Sequence, residues 1–476
     1  MATLLTPDIC VIGAGSGGLS VAAAAAAFGV DVVLIEKGLM GGDCLNYGCV
    51  PSKALLAAGK AAFGQTKSPQ FGVFSRDREI DFARANDHVR QVIAAIAPHD
   101  SQERFEGLGV TVLRERAKFT SPDTLAAGNH EIRARRFVIA TGSTAFVPPI
   151  PGLDQVPYLT NETLFDLREA PEHLAVIGGG PIGLEMAQAH RRLGAQVTVF
   201  EAKQALGNDD PDMAAIVLGA LRAEGIEILE GTAVGGIRKT EGGVLISAET
   251  SAGRTLEVAA SHLLVAAGRV ANVDGLGLEA AGVDHDGKGV RVDKGLRSSN
   301  RRIYAIGDVA GGLQFTHVAG YQAGLVIRSI LFRLPVAMNN DLVPWVTYTA
   351  PELGHVGLSE AEARKKYGGR VKVLTADYDE NDRARTEGET TGRLKLIAGP
   401  GGRLLGADIA GAKAGEIINL LSLALSRKMT MKDLAGFIAA YPTLGELVRR
   451  AAISYYAEAP ANVWVRRLIG LLRKFG

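Results

Sequence analysis

The sequence predicts an α/β protein in which one βαβ design occurs twice, the second copy inserted into the first, with a separate α+β domain behind them. Three observations carry this. A buried-strand run followed at once by a three-glycine turn occurs at Ile9–Ile12 and again at Leu174–Ile177. An apolar run at Ile303–Ile306 arrives too late to belong to the second copy and reads as a strand returning to the first. After Pro344 the pattern changes to a strand-rich start followed by amphipathic helices.

Chain length sets the scale: 476 residues exceed what one hydrophobic core supports, so several domains share the work. The chain is 47% hydrophobic and 22% charged, and its 59 glycines exceed the usual roughly 7%, so glycine-dependent turns matter. With 52 basic and 51 acidic side chains the net charge is +1, which offers no field to gather nucleic acid. Three cysteines, two of them five positions apart, do not make a disulfide scaffold and point to a reducing compartment, with cytoplasm expected. The start shows no basic region leading into an apolar one with a cleavage site, and no export signal is read there. The longest low-polarity stretch, Leu19–Val30 with its six alanines, falls short of the roughly 20 residues of a membrane span.

In the first unit the strand Asp8–Ile12 leads into Gly13-Ala-Gly15-Ser-Gly-Gly18, an alanine-rich helix and the strand Val32–Ile35. The second repeats this as Leu174–Ile177, Gly178-Gly-Gly180-Pro-Ile-Gly183, a helix through Leu193 and the strand Val197–Phe200. Each copy carries a glutamate 18 positions beyond its third glycine, Glu36 and Glu201. The glycines let the backbone approach a pyrophosphate at a helix N-terminus, and the carboxylate accepts hydrogen bonds from ribose hydroxyls. Two Rossmann-like domains binding two dinucleotides are therefore expected. A carboxylate at Glu201 suits a free 2′-hydroxyl and repels a 2′-phosphate, favouring NADH over NADPH, with Lys203 two positions on softening the preference. The competing reading of Glu201 is a solvent-facing residue at a strand end.

Between the copies lie a charged stretch, Ser75–Asp81, a strand ending in Phe137-Val-Ile-Ala140-Thr141-Gly142, and the stiff turn Pro148-Pro149-Ile-Pro151-Gly152, which is taken as a domain boundary. The run His262–Ala267 closes the second unit before Gly268-Arg269. A hairpin is expected at Gly399–Gly402 and helices near Gly415–Arg427 and Gly445–Tyr456. The segment Val463–Phe475 mixes Trp464, Val465, Leu468, Ile469, Leu471 and Leu472 with Arg466, Arg467, Arg473 and Lys474. It reads as an amphipathic basic helix, packed on its own protein or a twin subunit, with peripheral membrane contact as the alternative.

The cysteines sit in Gly41-Gly-Asp-Cys44-Leu-Asn-Tyr-Gly-Cys49-Val-Pro-Ser-Lys53. Pro51 marks the first turn of a helix, whose positive end lowers the pKa of a thiol placed there. Two buried structural cysteines and a zinc pair are the competing readings. Zinc is disfavoured because a structural site wants four ligands and Cys10 belongs to the first strand.

Taken together, these motifs resemble the flavoprotein disulfide reductases, the pyridine nucleotide-disulfide oxidoreductase group of dihydrolipoamide dehydrogenase, glutathione reductase and mercuric reductase, over nearly the whole length. The resemblance implies that Gly13, Gly15, Gly18 and Glu36 hold FAD, together with Thr141, Gly142, Gly307 and Asp308, and that Gly178, Gly180, Gly183 and Glu201 hold NAD. It implies a Lys53–Glu185 pair beside the flavin, Cys49 as the thiol against the flavin and Cys44 as the thiol that meets a small-molecule or protein disulfide. It also implies a homodimer, with an FAD-binding domain at 1–147, an NAD-binding domain at 148–270, a return to the first domain at 271–343, an interface (dimerisation) domain at 344–462 and the basic segment at 463–476.

One departure stands out. Family members mostly carry His-Pro-Thr-x-x-Glu near the end, and here the motif reads Tyr441-Pro-Thr-Leu-Gly-Glu446. The phenol, with a reference pKa near roughly 10, is a poor substitute for an imidazole base. Mercuric reductases share a tyrosine there, which makes reduction of a metal ion the runner-up, with quinone reduction and a non-catalytic flavin/NAD sensor behind it. No cysteine follows Cys49 to hand over a metal, however. His317 and His355 are weaker candidates for a replacement base.

Overall fold

A computed structural model describes residues 2–74 and 79–475. Residues 75–78 of the charged stretch lie outside them. The chain divides into two compact units, Met1–Lys203 with Ile226–Asn340, and Gln204–Gly225 with Asp341–Gly476.

The first unit is organised by two parallel sheets. Ile9–Ile12 is buried along its whole length because neighbouring strands and helices cover both faces of the sheet. It pairs with Val32–Ile35 on one side and Arg136–Ile139 on the other. Thr111–Leu113 and Ile303–Ala305 complete the five strands, so the chain leaves this sheet after Ile139 and re-enters it at Ile303. The intervening segment builds a second, four-stranded parallel sheet in the order Glu227–Leu229, Gln196–Phe200, His173–Ile177, His262–Val265. Helices Ser16–Ala27 and Pro181–Arg192 follow the two glycine turns directly. Smaller sheets accompany this core, among them an antiparallel one of Thr232–Thr240, Gly243–Thr250 and Thr255–Ala260 and a four-stranded one whose one parallel pairing joins Thr3–Leu5 to His130–Ile132.

The second unit is a five-stranded antiparallel sheet in the order Trp345–Thr347, Glu352–Gly357, Leu404–Gly411, Arg393–Ala398, Lys372–Asp377. The hairpin at Gly399–Gly402 joins two central strands, with Gly401 and Gly402 at φ 70° and 73°, backbone values that favour glycine. Leu394, Leu396, Ala407 and Ile409 form its core with Ile418 and Leu421 of helix Ala414–Ser426 and Leu447, Val448 and Ala451 of helix Glu446–Ser454. Alternation places Lys395 on the opposite face, where it meets Asp210 at 2.7 Å and Asp212 at 3.0 Å. Those aspartates open helix Pro211–Ala223, which therefore packs on this sheet, and Trp345 donates its indole N–H to Asp209 at 2.8 Å. The segment Val463–Leu472 forms the expected helix, capped by Asn462, and none of its residues is buried.

Candidate active site

The glycines of the two turns divide by what a side chain would meet. At Gly18 and Gly183 an added Cβ would stand 1.9 and 2.0 Å from the carbonyl oxygens of Gly13 and Gly178, so close helix–strand packing forbids it. Gly13 and Gly178 have φ 105° and 117°, and a Cβ there would stand 2.4 and 2.3 Å from the carbonyl oxygens of Ala140 and Ala266. The middle glycines are different. A Cβ added at Gly180 would meet nothing within 4 Å, and one at Gly15 only the Gly42 Cα, at 3.9 Å. The protein's own packing does not require glycine there, whereas a phosphate resting on the helix N-terminus does. That spare room is what fits a dinucleotide to each turn.

The glutamates match as closely. The Ala14 amide donates to Glu36 Oε2 at 2.6 Å and the Gly38 amide to Oε1 at 2.6 Å. Gly179 and Lys203 amides hold Glu201 in the same way, at 2.8 and 2.9 Å. Each carboxylate is fixed at its strand end and keeps lone pairs for ribose hydroxyls. Lys203 is exposed.

At the end of Arg136–Ile139, Thr141 and Asn272 exchange hydrogen bonds: Thr141 Oγ1 donates to the Asn272 carbonyl and Asn272 Nδ2 to the Thr141 carbonyl. Gly142 and Gly307 take left-handed φ of 69° and 71°. Ser143 Oγ donates to Asp308 Oδ2 at 2.5 Å and accepts from Arg269 Nε at 2.7 Å; Arg269 also reaches Asp43 at 3.2 Å. Burial raises the Asp308 pKa, opposed by the Ser143 bond and by Arg269. A half-buried cation thus ties the residue before Cys44 to Asp308, one of the residues expected to hold FAD.

The two cysteines are free thiols within hydrogen-bonding reach of one another. Cys49 is the first residue of helix Cys49–Lys67, so its sulfur faces unsatisfied amides. Its pKa is lowered, first by the hydrogen bond from Cys44, then by Thr316 and the Lys53 charge, against the cost of burial. Cys44 is driven the opposite way by the same bond, by burial and by the Cys49 and Asp43 charges. The pair therefore holds one proton and one negative charge, with the charge on Cys49. Thr316 Oγ1 lies 3.4 Å from Cys49 Sγ, and Lys53 Nζ bridges to Glu185 at 2.7 Å from a different helix.

Sequence reasoning passed over Thr316, Ser143, Arg269 and Asp43. Only Asp43, beside Cys44, and Arg269, just after a strand, carried a local signal. His317 stacks on Phe315 with ring centroids 5.3 Å apart. His355 is buried in the second unit, where its Nδ1 meets Asp408 at 2.5 Å and its ring packs against Trp345. Tyr441, in the same unit, is exposed and donates to Asp382 Oδ2 at 3.0 Å, a bond that raises the phenol's pKa. Glu446 opens helix Glu446–Ser454.

Two dinucleotide turns and a charge-split cysteine pair at a helix start define a flavoprotein oxidoreductase working through thiols. Comparison with known proteins agrees. The profile of the pyridine nucleotide-disulphide oxidoreductases matches residues 7–323, and that of their dimerisation domain residues 343–452. The chain is 34% identical to a mercuric reductase of Streptomyces lividans over 95% of its length and 96% of that protein. It is 33% identical to a dihydrolipoyl dehydrogenase of Chlorobaculum parvum over 94% of its length and 96% of that protein. Among solved structures it superposes on the HOCl-induced flavoprotein disulfide reductase RclA of Escherichia coli with a TM-score of 0.83 at 29% identity, over 94% and 99% of the two chains. On LpdA of Mycobacterium tuberculosis the TM-score is 0.85 at 26% identity, over 95% and 99%. The chain belongs to the pyridine nucleotide-disulfide oxidoreductases, enzymes that use FAD and a nicotinamide dinucleotide. Among the described residues no helix is long and apolar enough to cross a membrane.

Proposed function

We propose that this enzyme oxidises NADH and passes the electrons through Cys44 and Cys49 to a disulfide. The observation that carries the reading is the placement of Cys49 as the first residue of a helix, with Thr316 Oγ1 3.4 Å from its sulfur and the Glu185-anchored Lys53 one turn along. Gly13, Gly15, Gly18, Glu36, Thr141, Gly142, Gly307 and Asp308 hold FAD in this reading, and Gly178, Gly180, Gly183 and Glu201 hold NADH. FAD, when bound, supplies the two-electron centre that takes hydride and returns the pair to the cysteines. Lys53, anchored by Glu185, keeps a positive charge near Cys49 and stabilises its thiolate. Cys44, once it gives up its proton, attacks one sulfur of the substrate disulfide; a mixed disulfide forms and the first thiol leaves with that proton. The Cys49 thiolate then attacks the Cys44 sulfur, which closes the Cys44–Cys49 disulfide and expels the second thiolate.

The matched dimerisation domain supports a homodimer, and the family arrangement implies that Tyr441 and Glu446 stand at the partner's Cys44. The cysteine usage supports a cytoplasmic setting. A second reading, reduction of a thiophilic metal ion, draws on one feature: Tyr441 spends its only proton on Asp382 and makes a poor base for dithiol exchange. Anaerobic titration with NADH followed by lipoamide, a small aromatic disulfide and Hg(II) separates the two. Turnover with disulfides alone supports the first reading, turnover with the metal alone the second, and flavin reduction that survives loss of both cysteines with unchanged acceptor turnover refutes both.

A further inference from the structure

The helix Val463–Leu472 lies beyond both matched family segments, which end at residues 323 and 452. At about 100° per residue, Trp464, Val465, Leu468, Ile469, Leu471 and Leu472, extended by Phe475, fall within one arc of about 160°. Arg466, Arg467, Arg473 and Lys474 occupy the opposite side. The apolar arc is bare: Trp464 is 75% exposed, Phe475 80%, and each leucine of the helix more than half. Burying such a face is worth roughly 25 cal/mol per Å², yet none of the described residues covers it.

Charge says what does. From Ala459 to Phe475 there are four cations and no acidic residue, so the polar side of the helix carries no partner charge of its own. A second copy of the same segment would bring four more cations to any pairing of two such helices. An anionic phospholipid surface answers both faces: its headgroups pair with the arginines and lysine, and its acyl boundary takes the leucines. Trp464, with Arg467 resting 5.2 Å from its ring centroid, joins the two sides as an indole does at a headgroup boundary. Ten residues rise about 15 Å, half the roughly 30 Å hydrocarbon core, so the helix lies in the surface and does not span it.

We propose that residues 463–475 dock this enzyme, as a peripheral protein, on the surface of a bilayer containing anionic phospholipid. The test is cosedimentation of the FAD-loaded full chain with vesicles of phosphatidylcholine containing phosphatidylglycerol, against vesicles of phosphatidylcholine alone. Binding to the first and not the second is expected, with release as added salt shortens the Debye length from about 10 Å at 0.1 M to about 3 Å at 1 M. Each of Arg466→Gln, Arg467→Gln, Arg473→Gln and Lys474→Gln should lower partitioning about fivefold. Leu468→Ser with Leu472→Ser should abolish it, as should truncation after Ala461, while FAD content and NADH oxidation stay unchanged. Tryptophan emission of the full chain should shift to the blue on these vesicles, and the shift should vanish in Trp464→Phe. Equal binding by the truncated chain, equal binding to neutral vesicles, or no binding at all would overturn the proposal. So would conversion of the truncated enzyme to a monomer in sedimentation velocity, which would assign the apolar arc to a subunit interface.

Discussion

Replacing Tyr441 by histidine tests whether the missing base limits thiol chemistry. In the structure the Tyr441 hydroxyl donates to Asp382 at 3.0 Å, and that carboxylate raises the phenol's pKa above its ordinary value. Even at the reference pKa of roughly 10, only about one phenol in a thousand is ionised at pH 7, whereas an imidazole of pKa about 6.5 is mostly free base. General acid–base help is typically worth roughly 10²- to 10⁴-fold. Asp382 was not selected to orient an imidazole, and a side chain 71% exposed is imprecisely held, so a gain of about tenfold to a hundredfold is the expected range. The assay is NAD⁺-dependent oxidation of dihydrolipoamide, with stopped-flow reduction of the flavin by NADH as the control. Dihydrolipoamide turnover should rise and flavin reduction should not, and Asp382→Asn alone should produce no such gain. Rapid turnover by the unaltered enzyme that Tyr441→His leaves unchanged would refute the argument and point to another base.

Two-electron reduction should give a long-wavelength charge-transfer band that Cys49→Ser removes and Cys44→Ser retains; because the Cys49 pKa is lowered to about 6, the band should be full above that pH and fade as pH falls through it. NADH should reduce the flavin faster than NADPH, because like charges 4 Å apart at an effective dielectric of about 20 repel by about 4 kcal/mol; a quarter surviving solvent screening gives roughly fivefold, and equal second-order rate constants would sink the assignment of Glu201. Gly180→Ala should leave the melting temperature unchanged and weaken NADH binding, while Gly183→Ala, whose Cβ would meet the Gly178 oxygen at 2.0 Å, should destabilise the fold itself. Equal melting temperatures for the two variants would show that the turn relaxes in a way the packing does not suggest.

What could be read from the chain alone depended on whether the signal was local. Ile9–Ile12 and Leu174–Ile177 announce themselves because a strand covered on both faces is an unbroken apolar run, and each glycine turn follows within one residue. The strand Thr232–Thr240 was not read: Gly235, Gly236, Arg238 and Lys239 interrupt any alternation, and a β-bulge between Val234 and Gly236 breaks its register. The Lys53–Glu185 pair came from resemblance, and the two side chains form an ion pair at 2.7 Å, but Thr316 and Arg269 had no such route. Their partners Cys49 and Ser143 lie 267 and 126 positions away, and only the return of Ile303–Ala305 to the first sheet delivers Thr316 to the cysteines. Lys395 is the same case in the second unit, since a lysine in an otherwise apolar strand makes sense only once Asp210 and Asp212 are seen against it.

The acidity of Cys49 shows why these distant contributions act together. Cys49 and Thr316 are each the first residue of a helix, so two N-termini converge on one sulfur. Helix ends alone stabilise a charge by typically 0.3–1 kcal/mol, less than the burial of a thiolate costs, so a full positive charge is needed as well. Lys53 supplies it from one turn along the same helix, the i, i+4 position that faces Cys49. A lysine there could swing into solvent, its side chain being 37% exposed, were it not fastened to Glu185, which is 5% exposed. The carboxylate raises the Cys49 pKa slightly through its own charge while holding in place the ammonium that lowers it more. Glu185 in turn gains from Lys53, because a buried carboxylate is costly without a nearby cation. Lys53→Met therefore removes in one step the thiolate's counter-charge and the ammonium that offsets the buried charge of Glu185, whereas Lys53→Met with Glu185→Gln removes the counter-charge without leaving that buried charge. The single variant should lose both stability and the charge-transfer band. The double variant should recover the stability and still lack the band, which separates the positioning role of Glu185 from the electrostatic role of Lys53.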